Sequence, residues 1–84
     1  NISKPFIPEN KKIRVDVLSK HDEKLVIVQN LEKTDVNVTI KIPGEKFKSL
    51  IEQFSGDKVK CKSLGAGVEF KLELYPKEVR VYRA

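Results

Sequence analysis

Methionine and tryptophan are absent from this 84-residue sequence, cysteine occurs once, and no strictly apolar run exceeds four residues. A run of four is far short of the roughly 20 apolar residues a membrane-spanning helix needs. The lone Cys61 cannot close a disulfide within the chain, and with a single histidine, His21, no Cys/His spacing suits zinc. No metal or cofactor site is expected. With no tryptophan and only Tyr75 and Tyr82 as tyrosines, few rings are available on which a sugar or a base could stack. Glycine-rich phosphate loops and the nucleophile elbow are missing as patterns. No hydrophobic N-terminal stretch ends in a small-residue cleavage site, so no secretory signal is visible and the cytoplasm is the expected compartment. The missing methionine includes position 1, and Asn1 is not the small residue that favours its removal. The expectation is a piece of a longer polypeptide.

What remains suffices for one small domain. Hydrophobic residues are 39% of the chain and charged residues 35%, with 17 Lys+Arg against 12 Asp+Glu. A net charge of +5 could indicate an anionic partner. The basic residues are spread along the chain and interleaved with acids, which argues against a nucleic-acid face and for a solvated surface. Lysine and glutamate dominate and glutamine is nearly absent, a composition that resembles hyperthermophile proteins.

Residues 1–11, with Pro5, Pro8 and apolar Ile2, Phe6 and Ile7, read as an extended lead-in or linker. From residue 12 to 84 the pattern is that of one β-domain. Ile13, Val15 and Val17 alternate with Arg14 and Asp16, the period of a half-buried strand. Leu25–Val28 is a continuous apolar run, the signature of a strand buried on both faces. Clear alternation returns at Val36, Val38, Ile40 and Ile42, and again at Val68, Phe70, Leu72 and Leu74. Pro43–Gly44 stops the first and Pro76 follows the second. Val59 and Cys61 alternate with Lys58, Lys60 and Lys62 in a weaker strand, and Val79 and Val81 with Arg80 and Tyr82 in a last one.

One segment satisfies two templates. Phe47, Leu50, Ile51 and Phe54 lie at helical spacing, and Gly56 would stop a helix there. Ser55–Gly56–Asp57 is also a tight-turn triplet between apolar stretches, which suits a hairpin. The flanking strands favour a strand from Phe47 to Gln53. Six to eight short strands at this spacing predict an all-β fold: a two-sheet antiparallel β-sandwich of Greek-key, immunoglobulin-like type. The expected inward set is Val15, Val17, Ile27, Val38, Ile40, Val59, Val68, Phe70, Leu72, Val79 and Val81.

Candidate chemistry is sparse. His21 sits in a charged turn beside Asp22, without a pocket to shift its pKa. Cys61 points opposite to Lys60 and Lys62 and is expected in the core. Glu69 and Glu73 share a strand face with Lys71 and read as a solvated charge ladder rather than a glycosidase pair across a cleft. Lys58, Lys60 and Lys62 form a basic stripe without interleaved rings, better suited to protecting a sheet edge. No catalytic residue is expected.

The order of the pieces carries a resemblance. A strand ending in Asn30 is followed by an alternating strand, then Leu50 to the Ser55–Gly56–Asp57 turn, then Val59, and finally Pro76-Lys77-Glu78-Val79-Arg80-Val81-Tyr82. This resembles the C-terminal β-sandwich appended to (β/α)₈-barrel glycoside hydrolases of the β-galactosidase and α-amylase types. There, a Leu-Leu-Thr/Ser-Gly-Glu turn and a closing Pro-x-Glu-Val-x-Val-Tyr strand are typical. Ile51-Glu52-Gln53-Phe54 departs from the usual aspartate–leucine run. In such enzymes the catalytic acids lie on the barrel, so the resemblance implies a domain that is not catalytic by itself. It implies a module that packs on the catalytic domain of its own chain and stabilises it. Phe6, Ile7, Leu18 and Tyr82 do not fit the inward sets and are the candidates for interdomain contact. A carbohydrate-binding module is the alternative, and a small basic nucleic-acid-binding protein a weaker one.

Overall fold

The computed structural model describes residues 12–84. Eight strands follow one another: β1 (Ile13–Lys20), β2 (Glu23–Asn30), β3 (Val36–Pro43), β4 (Ser49–Glu52), β5 (Lys58–Lys60), β6 (Lys62–Leu64), β7 (Gly67–Leu74) and β8 (Val79–Arg83). They form two antiparallel sheets, five strands in the order β1-β2-β8-β4-β5 and three in the order β3-β7-β6. The chain changes sheet after β2, β3, β5 and β7. Strand β8 inserts between β2 and β4, and β7 pairs with β3, so neighbours in space are distant in sequence in the Greek-key manner. The expected all-β sandwich is the observed fold.

Alternation sets the inner faces. Ile13, Val15 and Val17 of β1, Val36 to Ile42 of β3 and Val68 to Leu74 of β7 turn every second side chain into one core. Leu50 of β4 joins them fully buried, and Phe47, Val59 and Cys61 pack against the cluster. Each fully buried branched side chain contributes roughly 1.5–3 kcal/mol.

Two strands take the phase opposite to the expected one. In β2 the buried hydrophobic residues are Val26 and Val28, while Ile27 faces outward and is half-buried. The all-apolar run carries no phase of its own. Register supplies it: Val15 pairs with Val28 and Val17 with Val26, which puts the β2 pair on the core side. In β8 the ring of Tyr82 goes in, at 1% exposure, and Val79 and Val81 go out. Tyr82 stands opposite Val26 and has more apolar area to bury than either valine. Arg80 shares its inward phase but keeps its guanidinium at the rim, bonded to Glu78 and the Tyr82 hydroxyl.

The 58–62 segment is two strands rather than one. At Cys61 the chain leaves the five-stranded sheet for the three-stranded one, and the Cys61 amide donates to the Lys48 carbonyl at 3.0 Å. The 47–54 segment is a strand, shorter than expected at Ser49–Glu52. Gln53 N–H still donates to the Val81 carbonyl at 2.8 Å, so pairing with β8 displaces a helical turn. The turn after it closes through Glu52 N–H to Asp57 O, at 2.8 Å, and Gly56 N–H to Glu52 O, at 3.0 Å. Gly56 there has φ +77°, a conformation that favours glycine. Phe54, the last member of the helical template, is left 85% exposed at the hairpin tip.

Asn30 fastens the end where the chain changes sheets. It is fully buried. Its Nδ2 donates to the carbonyls of Thr34 and Tyr75, both at 2.9 Å, and its Oδ1 accepts from Glu32 N–H at 2.9 Å. One side chain thereby ties the β2–β3 loop to the turn between β7 and β8.

Candidate functional site

Strand pairing sorts the outward residues of the two sheets into different surfaces. On the three-stranded sheet, Asn37 stands beside Glu73, Thr39 beside Lys71, and Lys41 and Lys62 flank Glu69. These are polar groups, exposed except for the half-buried Glu69. Apolar side chains on this face are confined to Pro43 and Leu64 at its turn end. The expected solvated ladder of Glu69, Lys71 and Glu73 is therefore what this face presents.

The outward face of the five-stranded sheet is apolar at its centre. Leu18 pairs with Leu25, Ile27 with Val81 and Gln29 with Val79, and Ile51 lies across from Arg83. Leu18, Leu25, Ile27 and Val81 are half-buried by their neighbours, and Ile51 and Val79 are 40% and 50% exposed. Polar groups ring them: Arg14 and Asp16, paired at 3.0 Å, on β1, Arg83 on β8, and Lys58 and Lys60 on β5. No described strand lies over this face.

Of the residues expected at an interdomain contact, Leu18 lies on this face, at the β1 side. Phe6 and Ile7 lie outside the described residues. Tyr82 does not share the face; it is a core residue with almost no surface to offer a neighbour. Ile27, Val79 and Val81, expected in the inward set, belong to the outer face instead. The signal that could have found them is the unbroken run Leu25–Val28, which requires cover on both sides of β2.

A second feature is an open cleft of about 470 Å³ between the β4–β5 hairpin, the end of β7 and the start of β8. Glu52, Asp57, Glu73, Tyr75, Glu78, Arg80 and the edge of Tyr82 line it. Arg80 Nε lies 3.0 Å from Glu78 Oε2 and its Nη2 donates to Oε1, also at 3.0 Å. Tyr75 N–H donates to the same Oε1 at 2.9 Å. The Arg80 guanidinium holds the Glu78 carboxyl below its usual range, helped by the Tyr75 amide and opposed by partial burial. The same bond raises the Arg80 pKa, and burial raises that of Tyr82. The ring of Tyr75 is 59% exposed.

The remaining candidates lie apart. His21 is exposed in the β1–β2 turn with φ 53° and serves that turn's geometry. Cys61 packs against the core, and burial pushes its thiol pKa up, which disfavours the reactive thiolate. The basic stripe is divided between sheets: Lys58 and Lys60 flank the apolar face, while Lys62 stands beside Glu69 on the other side. Among the described residues no group of three or more His, Cys, Asp or Glu could hold a metal ion.

The fold is that of a two-sheet antiparallel β-sandwich, and solved structures share it. The chain is similar to AmyP in complex with maltose, with a TM-score of 0.71 and 14% identity, covering 95% of this chain and 16% of that one. It is likewise similar to an AmyP variant in complex with maltotriose, with a TM-score of 0.73 and 16% identity over 95% of this chain and 15% of that one. The chain thus spans about 15% of the length of these matched proteins. No protein-family model matches the sequence, and no curated protein matches it.

Proposed function

We propose that this chain is a non-catalytic accessory domain of a glycoside hydrolase, placed C-terminal to a catalytic barrel on which it packs and which it stabilises. The observation that carries the reading is the match in scale: nearly the whole chain corresponds to a minor part of AmyP, a protein solved in complex with maltose and with maltotriose. The turn at Ser55–Gly56–Asp57 and the closing strand through Tyr82, which resemble those of such domains, fall at a hairpin and at the central strand of the five-stranded sheet. The catalytic acids belong to the barrel in this reading. Truncating the parent enzyme before Asn1 should lower its melting temperature and solubility while leaving turnover of small glycosides intact below the transition. An unchanged melting temperature refutes the stabilising role. Turnover of aryl glycosides by the isolated chain refutes the non-catalytic one.

A second reading, a carbohydrate-binding module, rests on the cleft beside Tyr75. An exposed ring with carboxylates and a guanidinium close by is a combination that can stack on and hydrogen-bond to a sugar. Polysaccharide pull-down by the isolated chain, abolished by Tyr75→Ala, would favour this reading; no retention on starch or other glucans would remove it.

A further inference from the structure

We infer that the outer face of the five-stranded sheet, centred on Ile27 and Val81, is the surface through which this domain docks on the catalytic domain of its own chain. The inference rests on the accessory-domain reading and adds to it which face is used and the chemistry of what covers it.

Two observations point to this face. The first is in the sequence: Leu25–Val28 is apolar at four consecutive positions, the pattern of a strand covered on both sides. A two-layer sandwich covers one side. Val26 and Val28 occupy it, and Leu25 and Ile27 are left with no described strand above them. The second is in the pairing: Leu18, Leu25, Ile27, Val81, Val79 and Ile51, from four different strands, assemble on this face and not on the opposite one. A contiguous apolar patch with a polar rim marks an interaction surface.

Charge selects the occupant. Four cations, Arg14, Arg83, Lys58 and Lys60, stand around the patch against two carboxylates, Asp16 and Glu23. Two-fold pairing with a second copy would set this excess of positive charge against itself, whereas a partner with an apolar centre and an acidic rim would meet it. The first described strand, β1, is an edge strand of this same sheet. Intrachain domain interfaces are typically about 600–1,500 Å², the scale of one sheet face in a domain of this size.

The test uses the parent enzyme and the 84-residue chain side by side. Val79→Asp and Ile27→Asp place a carboxylate on the apolar face; Thr39→Asp places one on the charged face. In the parent, the first two should each lower the melting temperature by several degrees more than they do in the isolated chain, and Thr39→Asp should lower both equally little. Reading the difference between the two contexts keeps the result interpretable if Ile27→Asp also weakens the sandwich itself. Equal drops for all three variants in the parent would overturn the assignment of the face. A dimer of the isolated chain in sedimentation, converted to monomer by Val79→Asp, would overturn it in favour of a second copy. Binding of a hydrophobic dye that appears only when residues 1–11 are deleted would overturn it in favour of the lead-in. If truncation of the whole domain destabilises the parent but these substitutions do not, the accessory reading stands and only the face is wrong.

Discussion

The two sheets share one core but differ in what they turn away from it. The three-stranded sheet shows alternating lysines and glutamates with Asn37 and Thr39 between them, a surface already complete in water. The five-stranded sheet shows leucine, isoleucine and valine inside a ring of charge. Exposed leucines are ordinary one at a time; six apolar side chains assembled from four strands on one side only are not. Strand composition therefore reports more than inside versus outside. It separates a charged, solvated face from an apolar one with a charged rim.

Substitutions on the two sides of one strand break this comparison most strongly. Tyr82→Ala removes a fully buried ring and should cost about 3–5 kcal/mol in the isolated chain, read by chemical denaturation. Val81→Ala, one residue away on the outer side, should cost less than about 1 kcal/mol there. Similar costs for the two would mean that the outer face is already packed within this chain.

Asn30→Ala should cost about 2–3 kcal/mol, because it strips the Thr34 and Tyr75 carbonyls and the Glu32 amide of a buried partner. Asn30→Asp should be no better, since a carboxylate cannot donate to two carbonyls. A variant as stable as the parent sequence would show that the junction between the sheets does not depend on this side chain.

Gly67→Ala sharpens the three-stranded side. A Cβ at Gly67 would sit 2.4 Å from the Ile42 carbonyl oxygen and 2.9 Å from Pro43 Cα. The β3–β7 ladder must then shift, at a cost of about 1–3 kcal/mol. By contrast Lys71→Ala, on the charged face of the same strand, should stay within about 0.5 kcal/mol.

The smallest effect is in pH. Glu78 has a folded-state pKa below its unfolded value, so its contribution is present above the ordinary glutamate range and is lost as pH falls through the lowered folded value. Stability measured from neutral pH down into acid should decline through that window, and Glu78→Gln should flatten part of the decline. An unchanged profile in Glu78→Gln would show that the Arg80 pair adds nothing to folding.

The strands were legible wherever apolar and polar residues alternate, as in 36–42 and 68–74, because period two fixes both the element and its buried face. Legibility failed where the local pattern lacks a phase or offers two. Leu25–Val28 is apolar throughout, so only the register with β1 decides that Val26 and Val28 go in. Val79 to Tyr82 offers valines on one side and an arginine and a tyrosine on the other; the ring's area and the Glu78 partner for Arg80 reverse the simple hydrophobicity rule. Cys61 looks like the middle of a strand, yet it is the corner at which the chain changes sheets, a tertiary feature with no local marker. The docking face follows the same logic: Leu18 was recognisable as an apolar residue out of place, but its companions emerge only when β1, β2, β8 and β4 are laid side by side.

Carbene footprinting of the isolated chain and of the parent enzyme, mapped to single residues, tests the central claim most directly. The account predicts that labelling of Leu18, Leu25, Ile27, Ile51, Val79 and Val81 falls in the parent, while Asn37, Thr39 and Lys71 label equally in both. Protection of Asn37, Thr39 and Lys71 with the apolar face still labelled would contradict it.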